Sequence, residues 1–325
     1  MKTQIACLLA PLALLPVQSE LQLAVEEGAT LTKTFVGVQE LDLESMSMSV
    51  GDQEVPAEHF EEMEFSIEET RTVVLVDEYL ELGEGRPTKL RRTYDELSVE
   101  SVESSDGPRG SDGQSSKDES ALEGTSVLFT WDADEEEYSV EFDDEEGDGD
   151  LLEALVADAD LLMFLPDGEV EEGDSWDVDA ILINALLAPG GLMSFMDEDG
   201  DSIDTELALE IDENVEGEIT ATFEGLRDVD GRELAVISLE IDVTTEGDEE
   251  TENEAGVTEA SSVELAMELE GELLWDIDAG HIVGYDISGD VESTVTTTGS
   301  FGEQDFEREM ELAGTMTLTL EVETE

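Results

Sequence analysis

The chain has 325 residues, 90 of them Asp or Glu against 12 Lys or Arg and 2 His, for a formal charge of −78. That charge makes DNA, RNA and anionic lipid surfaces poor partners, because like charges repel over the whole surface, and no nucleic-acid partner is expected. Hydrophobic residues at 39% and 28 glycines match an ordinary globular chain, so the composition also excludes wholesale disorder and puts the acid on the surface of a normal core.

Taken in chain order, residues 1–19 read as a secretory signal. Lys2 is the charged start, Ile5 to Pro16 is apolar, and Val17-Gln18-Ser19 offers a cleavage site before Glu20. The apolar run is too short and too broken by proline to span a membrane. Cys7, the only cysteine, precedes most of that run, which argues against a lipid anchor. The mature chain 20–325 then has no disulfide, thiolate metal site or cysteine nucleophile. No later segment reaches 18 uninterrupted apolar residues, so the expectation is an exported soluble protein, periplasmic or extracellular, with no transmembrane segment. Self-repulsion on this scale is relieved by salt, which fits a salt-adapted surface; a merely acidic secreted protein is the other reading.

Most of the mature chain alternates with period two. Met310, Leu312, Met316, Leu318, Leu320 and Val322 share one phase, with Glu and Thr between them, as in a long strand with one wet face. Leu41 and Leu43 are odd while Met46, Met48 and Val50 are even, so a β-bulge is predicted near Glu44-Ser45. Asp228-Val229-Asp230-Gly231 and Asp278-Ala279-Gly280 read as hairpin turns, and such short connections imply antiparallel pairing. An offset of 144 lays Glu62–Ile67 on Glu206–Ile211, Tyr79 on Phe223, Leu90 on Leu234 and Trp131-Asp132 on Trp275-Asp276. The offset reads as two pseudo-repeats, about 60–142 and about 204–286, each with a polar insertion (Ser104 to Ser120, Glu246 to Ser262), or as chance parity between two strand-rich halves; C-terminal strands run over about 287–325.

Between the repeats, about 150–196, the texture turns helical. Asp150 with Glu153 reads as a capped start for a helix carrying Leu151, Leu152, Leu155, Val156, Ala159, Leu162 and Met163, ended by Pro166-Asp167-Gly168. A second short helix is predicted over Ala180 to Ala188, stopped by Pro189-Gly190-Gly191.

No motif names a reaction. Asp197, Asp199 and Asp201 alternate as in calcium loops, but Ser202 and Ala208 stand where an EF-hand needs glycine and a bidentate glutamate. They are candidates only for a weakly bound divalent cation, against solvated acidic turns. His59 and His281 are isolated, too few for zinc and without a GxSxG or HExxH context. Arg86, Lys89, Arg91 and Arg92 form the one basic cluster; it either docks an anion or neutralises acid locally along a strand. Met46, Met48, Met63, Met267, Met310 and Met316 fall on strand faces and Met163, Met193 and Met196 in the helical segment, soft side chains that suit a cavity or a core.

The run Leu165-Pro166-Asp167-Gly168-Glu169-Val170-Glu171-Glu172-Gly173-Asp174-Ser175-Trp176 resembles the LPxxxVxxGDsW element of uncharacterised exported bacterial β-rich proteins, where it follows a helix and precedes a meander of long strands. The whole pattern is similar in architecture to lipoprotein-carrier-like open barrels, in which a curved sheet holds a helical lid over an apolar cavity. That resemblance implies binding of a lipid-like or other apolar ligand rather than catalysis. The expected fold is mainly β: a curved antiparallel sheet or open barrel from two pseudo-repeats with a short helical insertion, about ten to fourteen strands in one domain. The expected function is non-enzymatic binding of an apolar small molecule or lipid by Leu151, Leu155, Leu162 and Met163 facing Leu318 and Leu320. The alternative is an acidic cell-surface or extracellular protein that binds cations or protein partners.

Overall fold

A computed structural model describes residues 19–324 apart from 52, 61–62, 84, 108–109, 144–146, 197–213, 230, 253–257 and 302–303. The predicted signal through residue 18 with Cys7, the loop Asp197-Asp199-Asp201, the strand Glu206–Ile211 and the His59 side chain lie outside the described residues.

The elements run β1 (Ser19–Glu20), β2 (Thr30–Val50), β3 (Gln53–Glu54), β4 (Glu64–Leu82), β5 (Pro87–Gly107), β6 (Gly110–Ser120), β7 (Ser126–Asp132) and β8 (Glu137–Phe142). They continue with β9 (Glu169–Val170), β10 (Ser175–Val178), α1 (Ile183–Leu187), β11 (Phe195–Met196), β12 (Val215–Val229), β13 (Arg232–Glu252), β14 (Thr258–Asp276), β15 (His281–Phe301) and β16 (Gln304–Thr324). Fourteen of the described strands form one sheet, in the order β10-β12-β13-β14-β15-β16-β2-β4-β5-β6-β11, with β3, β7 and β8 off that path and every pair antiparallel. Mainly β, antiparallel, curved and not closed, it is the predicted fold class. The period-two pattern explains why: strands of 21 residues such as β2, β13 and β16, about 70 Å each, put an apolar set on one face and acid or Thr on the other.

Two glycines show how the sheet bends. A Cβ on Gly314 would lie 1.8 Å from the Glu40 carbonyl, and one on Gly289 would lie 2.1 Å from that of Glu268. The neighbouring backbone occupies space that a flat pleat leaves to a side chain, so curvature is built where side chains are missing. The predicted bulge is present. Glu311 pairs with Ser45 and Leu312 with Leu43, which leaves Glu44 as the extra residue.

The insertion bridges the open edges. β10 extends the β12 edge and β11 extends the β6 edge, so residues 179–194 run from one side of the sheet to the other across its inner face. Here the first predicted helix is wrong. Residues 149–164 form only 3₁₀ turns, Gly149–Leu152 and Leu162–Phe164, and Asp148 rather than Asp150 caps the first. The reason is local competition for backbone groups. Asp158 accepts from the amides of Asp160 and Leu162, and Arg92 takes the carbonyls of Val156 and Ala157 that a helix would use. The second predicted helix survives in part: Asp179 caps a 3₁₀ turn that leads into α1, and Pro189-Gly190-Gly191 follows.

At the 144-residue offset, the β7–β8 and β14–β15 turns share a register, Asp132 opposite Glu137 and Asp276 opposite His281. In both, the aspartate Oδ1 accepts from the two amides that follow in the turn. Elsewhere the pairings shift, and burial differs: Trp131 is half-buried and Trp275 is buried.

Candidate functional site

Lys33 and Asp77 sit in the apolar phase of their strands, between Leu31 and Phe35 and between Leu75 and Tyr79. A charge in that phase is the sequence signal that reading by clusters missed. Both are fully buried, as is Arg92 on β5. Arg92 grips Asp77 with two hydrogen bonds, Nε to Oδ1 at 2.7 Å and Nη2 to Oδ2 at 2.9 Å. Lys33 Nζ lies 2.8 Å from Asp77 Oδ2 and 2.8 Å from Asp160 Oδ1, and it donates to the Tyr79 hydroxyl at 3.0 Å. The Tyr79 hydroxyl donates to Asp160 Oδ2 at 2.6 Å. Burial would raise the Asp77 carboxyl, but Arg92 and Lys33 outweigh it and hold it down to about 2. Burial would lower the Lys33 ammonium, but Asp160 and Asp77 raise it. Burial and the nearby Asp160 raise the Asp158 carboxyl.

This network is a latch. Three strands contribute Lys33, Asp77, Tyr79 and Arg92, and the insertion contributes Asp160 and the Val156 and Ala157 carbonyls. The latched strap in turn holds the next segment: the Val156 amide donates to Gly190 O, the Leu192 amide donates to Ala154 O, and Leu155 bridges to Gly191.

Just before Gly190, the α1 segment roofs a cavity of about 180 Å³ against the inner face. Cross-strand register lays out its floor. One row runs Arg71 (β4), Gly37 (β2), Leu318 (β16), and the next runs Glu69, Gln39, Met316. Phe35, Val73 and Tyr285 close one end, and Leu186, Leu187 and Pro189 form the roof. Gly37 leaves the middle of the floor empty. Arg71 donates to Leu187 O at 3.2 Å and its guanidinium lies 5.4 Å from the Phe195 ring centre. Burial raises the Tyr285 hydroxyl, which therefore stays protonated.

Of the predicted ligand residues, Leu318 lines this cavity. Leu320 and Leu155 are buried in the core, and Leu151 and Leu162 pack against it partly buried. None of these four lines the cavity. Met163 is 65% exposed, contrary to its predicted inward face, because the segment is not a helix and turns that side chain out. Met316 is the methionine that reaches the cavity. The basic cluster splits by strand alternation: Arg92 points in, Arg91 pairs with Glu78 and Asp143, and Arg86 lies 4.3 Å from the Trp131 ring centre. Local neutralisation accounts for Arg91 and Arg92. His281 is buried with Nδ1 donating to Ile282 O at 2.6 Å. The Leu165–Trp176 run carries a turn: the Asp174 carboxylate accepts from the Glu171 amide, Gly173 has φ +92°, Val170 is buried, and Trp176 Nε1 donates to Phe164 O. Among the described residues no group of three or more His, Cys, Asp or Glu is arranged to hold a metal ion.

No protein-family model matches the chain, and no curated protein matches it. A solved structure similar to it is the COG4313 outer membrane channel from Pseudomonas putida F1, at 8% identity and a TM-score of 0.21, covering 93% of this chain and 98% of that one. At that score the likeness carries no argument about fold or function. No described helix is long and apolar enough to cross a membrane.

Proposed function

We propose that the protein is a non-enzymatic, exported binding protein whose cavity between the α1 roof and the inner sheet face takes a small apolar group. The observation that supports this reading is the cavity itself: a half-open cleft of about 180 Å³ between the α1 roof and the sheet, comparable to the roughly 150 Å³ that holds a benzene ring. Its floor and roof are mainly apolar, with a few polar groups on one side, the usual makeup of a small-molecule site. The size supports one short chain or ring rather than a whole diacyl lipid. The outer face supports work in water, since Glu218, Asp242, Glu268 and Asp290 stand in one cross-strand row where a membrane barrel needs an apolar band. Export rests on the N-terminal sequence pattern.

The test fills the floor. A Cβ on Gly37 meets only Leu318 Cδ2, at 3.3 Å, the far end of a flexible side chain, so a larger residue extends into the void. A fluorescent apolar probe should bind the folded protein saturably at one per chain, and the Gly37→Leu variant should lose that binding while its melting temperature holds or rises. Equal probe binding by both proteins would reject the cavity as the site.

A further inference from the structure

The cavity is chemically lopsided, and its polar side points to the head group of what it holds. We infer that its ligand is a small amphipathic anion, a straight-chain monocarboxylate of about six to eight carbons, with the carboxylate on Arg71 and the tail over Gly37 against Leu318 and Met316; this rests on the binding role proposed above. Three observations carry it.

The first is the unspent charge of Arg71. Among the described residues this side chain is in no ion pair, and its hydrogen bond goes to a neutral carbonyl, Leu187 O. A half-buried arginine without a carboxylate partner, a condition that Arg71 shares with Arg308 among the described residues, keeps its charge available to a ligand. Arg91, Arg92 and Arg227 each hold a carboxylate. A guanidinium has five N–H donors in a fork that matches a carboxylate, and the Leu187 bond uses one.

The second is Tyr285. It is 5% exposed and lines the cavity from β15, beyond Leu318 from Arg71, where its ring, packed against Phe35, adds apolar wall at the tail end.

The third is the division of the floor. Register puts Arg71 on the β4 side of Gly37 and Leu318 on the β16 side, so a molecule lying across Gly37 meets charge at one end and hydrocarbon at the other. The 180 Å³ space accommodates a tail of about six to eight carbons on the scale on which roughly 150 Å³ holds benzene. Glu69, one row along from Arg71 on the same face, opposes negative charge at this end and disfavours a dianion more than a monoanion.

Calorimetric titration of the full chain at pH 7 and 0.15 M NaCl with octanoate, octan-1-ol and octylamine tests this. Octanoate should bind one per chain and more tightly than either of the others. Arg71→Gln should weaken octanoate about 10- to 100-fold, the range of one charged hydrogen-bonded contact, and leave octan-1-ol unchanged. Arg71→Lys should recover part of the loss. Octan-1-ol binding as well as octanoate to the unsubstituted protein, or octylamine binding better, overturns the head-group assignment and leaves the apolar cavity standing. If none of the three binds the folded protein, this inference and the binding function fall together. The wild-type comparison decides the matter even if the Arg71 variants do not fold.

Discussion

Asp77 is the residue on which the latch turns, because both buried cations rest on it. Removing one partner of a buried ion pair leaves an uncompensated charge and costs about 3–5 kcal/mol. Asp77→Asn should therefore destabilise by that much in denaturant unfolding. It should also loosen the strap at Val156 and Ala157, seen as faster amide exchange at Val156 and Leu192, whose amides tie the strap to the roof. The pH dependence has a definite sign. The folded carboxyl is held down to about 2, below the ordinary value near 3.9. Its contribution is present above about pH 4 and is lost as pH falls toward 2. The stability gap between wild type and Asp77→Asn should narrow over that window, and the difference cancels the titration of the other carboxylates. A gap constant from pH 5 to pH 2.5 would show that the pair does not govern the acid limb. The charges in apolar phase were legible at Lys33 and Asp77. What the sequence does not show is that Asp160, some 80 positions away, completes the set, since that depends on how the insertion crosses the sheet.

At the scale of elements, alternation was the readable signal and helical spacing was not. Strand phase located the bulge at Glu44, and Asp and Gly turn residues located both hairpins. The apolar spacing from Leu151 to Met163 was equally regular, yet periodicity over a short run does not tell a helix from a strap whose backbone groups are claimed elsewhere. Asp158 and Arg92 claim them here. The bend of the sheet hangs on glycines that look unremarkable in sequence. Gly314→Ala would place a methyl 1.8 Å from the Glu40 carbonyl. It must push β16 from β2, at about 1–3 kcal/mol, the usual cost of overpacking. Gly149→Ala is the control: a Cβ there meets nothing within 4 Å, so its effect should stay within about 0.5 kcal/mol. Thermal melting of the two variants side by side tests this; equal melting temperatures would mean the strand pair yields freely at Gly314.

For the whole molecule, charge is the dominant stress, and the fold concentrates it. On the outer face Glu218 stands opposite Asp242, Asp242 opposite Glu268, Glu268 opposite Asp290, and Glu240 opposite Glu270. Like charges directly opposed across a sheet are unfavourable, and no cation among the described residues pairs with any of these six. Two of the 12 basic residues, Lys33 and Arg92, are spent inside the latch and do nothing for the surface. Total charge was plain from composition, whereas the opposed rows depend on register and on the insertion that spans the edges. Screening separates the two kinds of electrostatics. Raising NaCl from 0.05 M to about 2 M shortens the Debye length from more than 10 Å to under 3 Å, which weakens repulsion among exposed carboxylates far more than attraction within the dry latch. The melting temperature should therefore rise by several degrees across that range. It should do so in parallel for wild type and for Asp77→Asn, because the latch is out of reach of the salt. A flat profile would show that the acidic face is not what limits stability, and a rise confined to wild type would place the salt effect in the buried network instead.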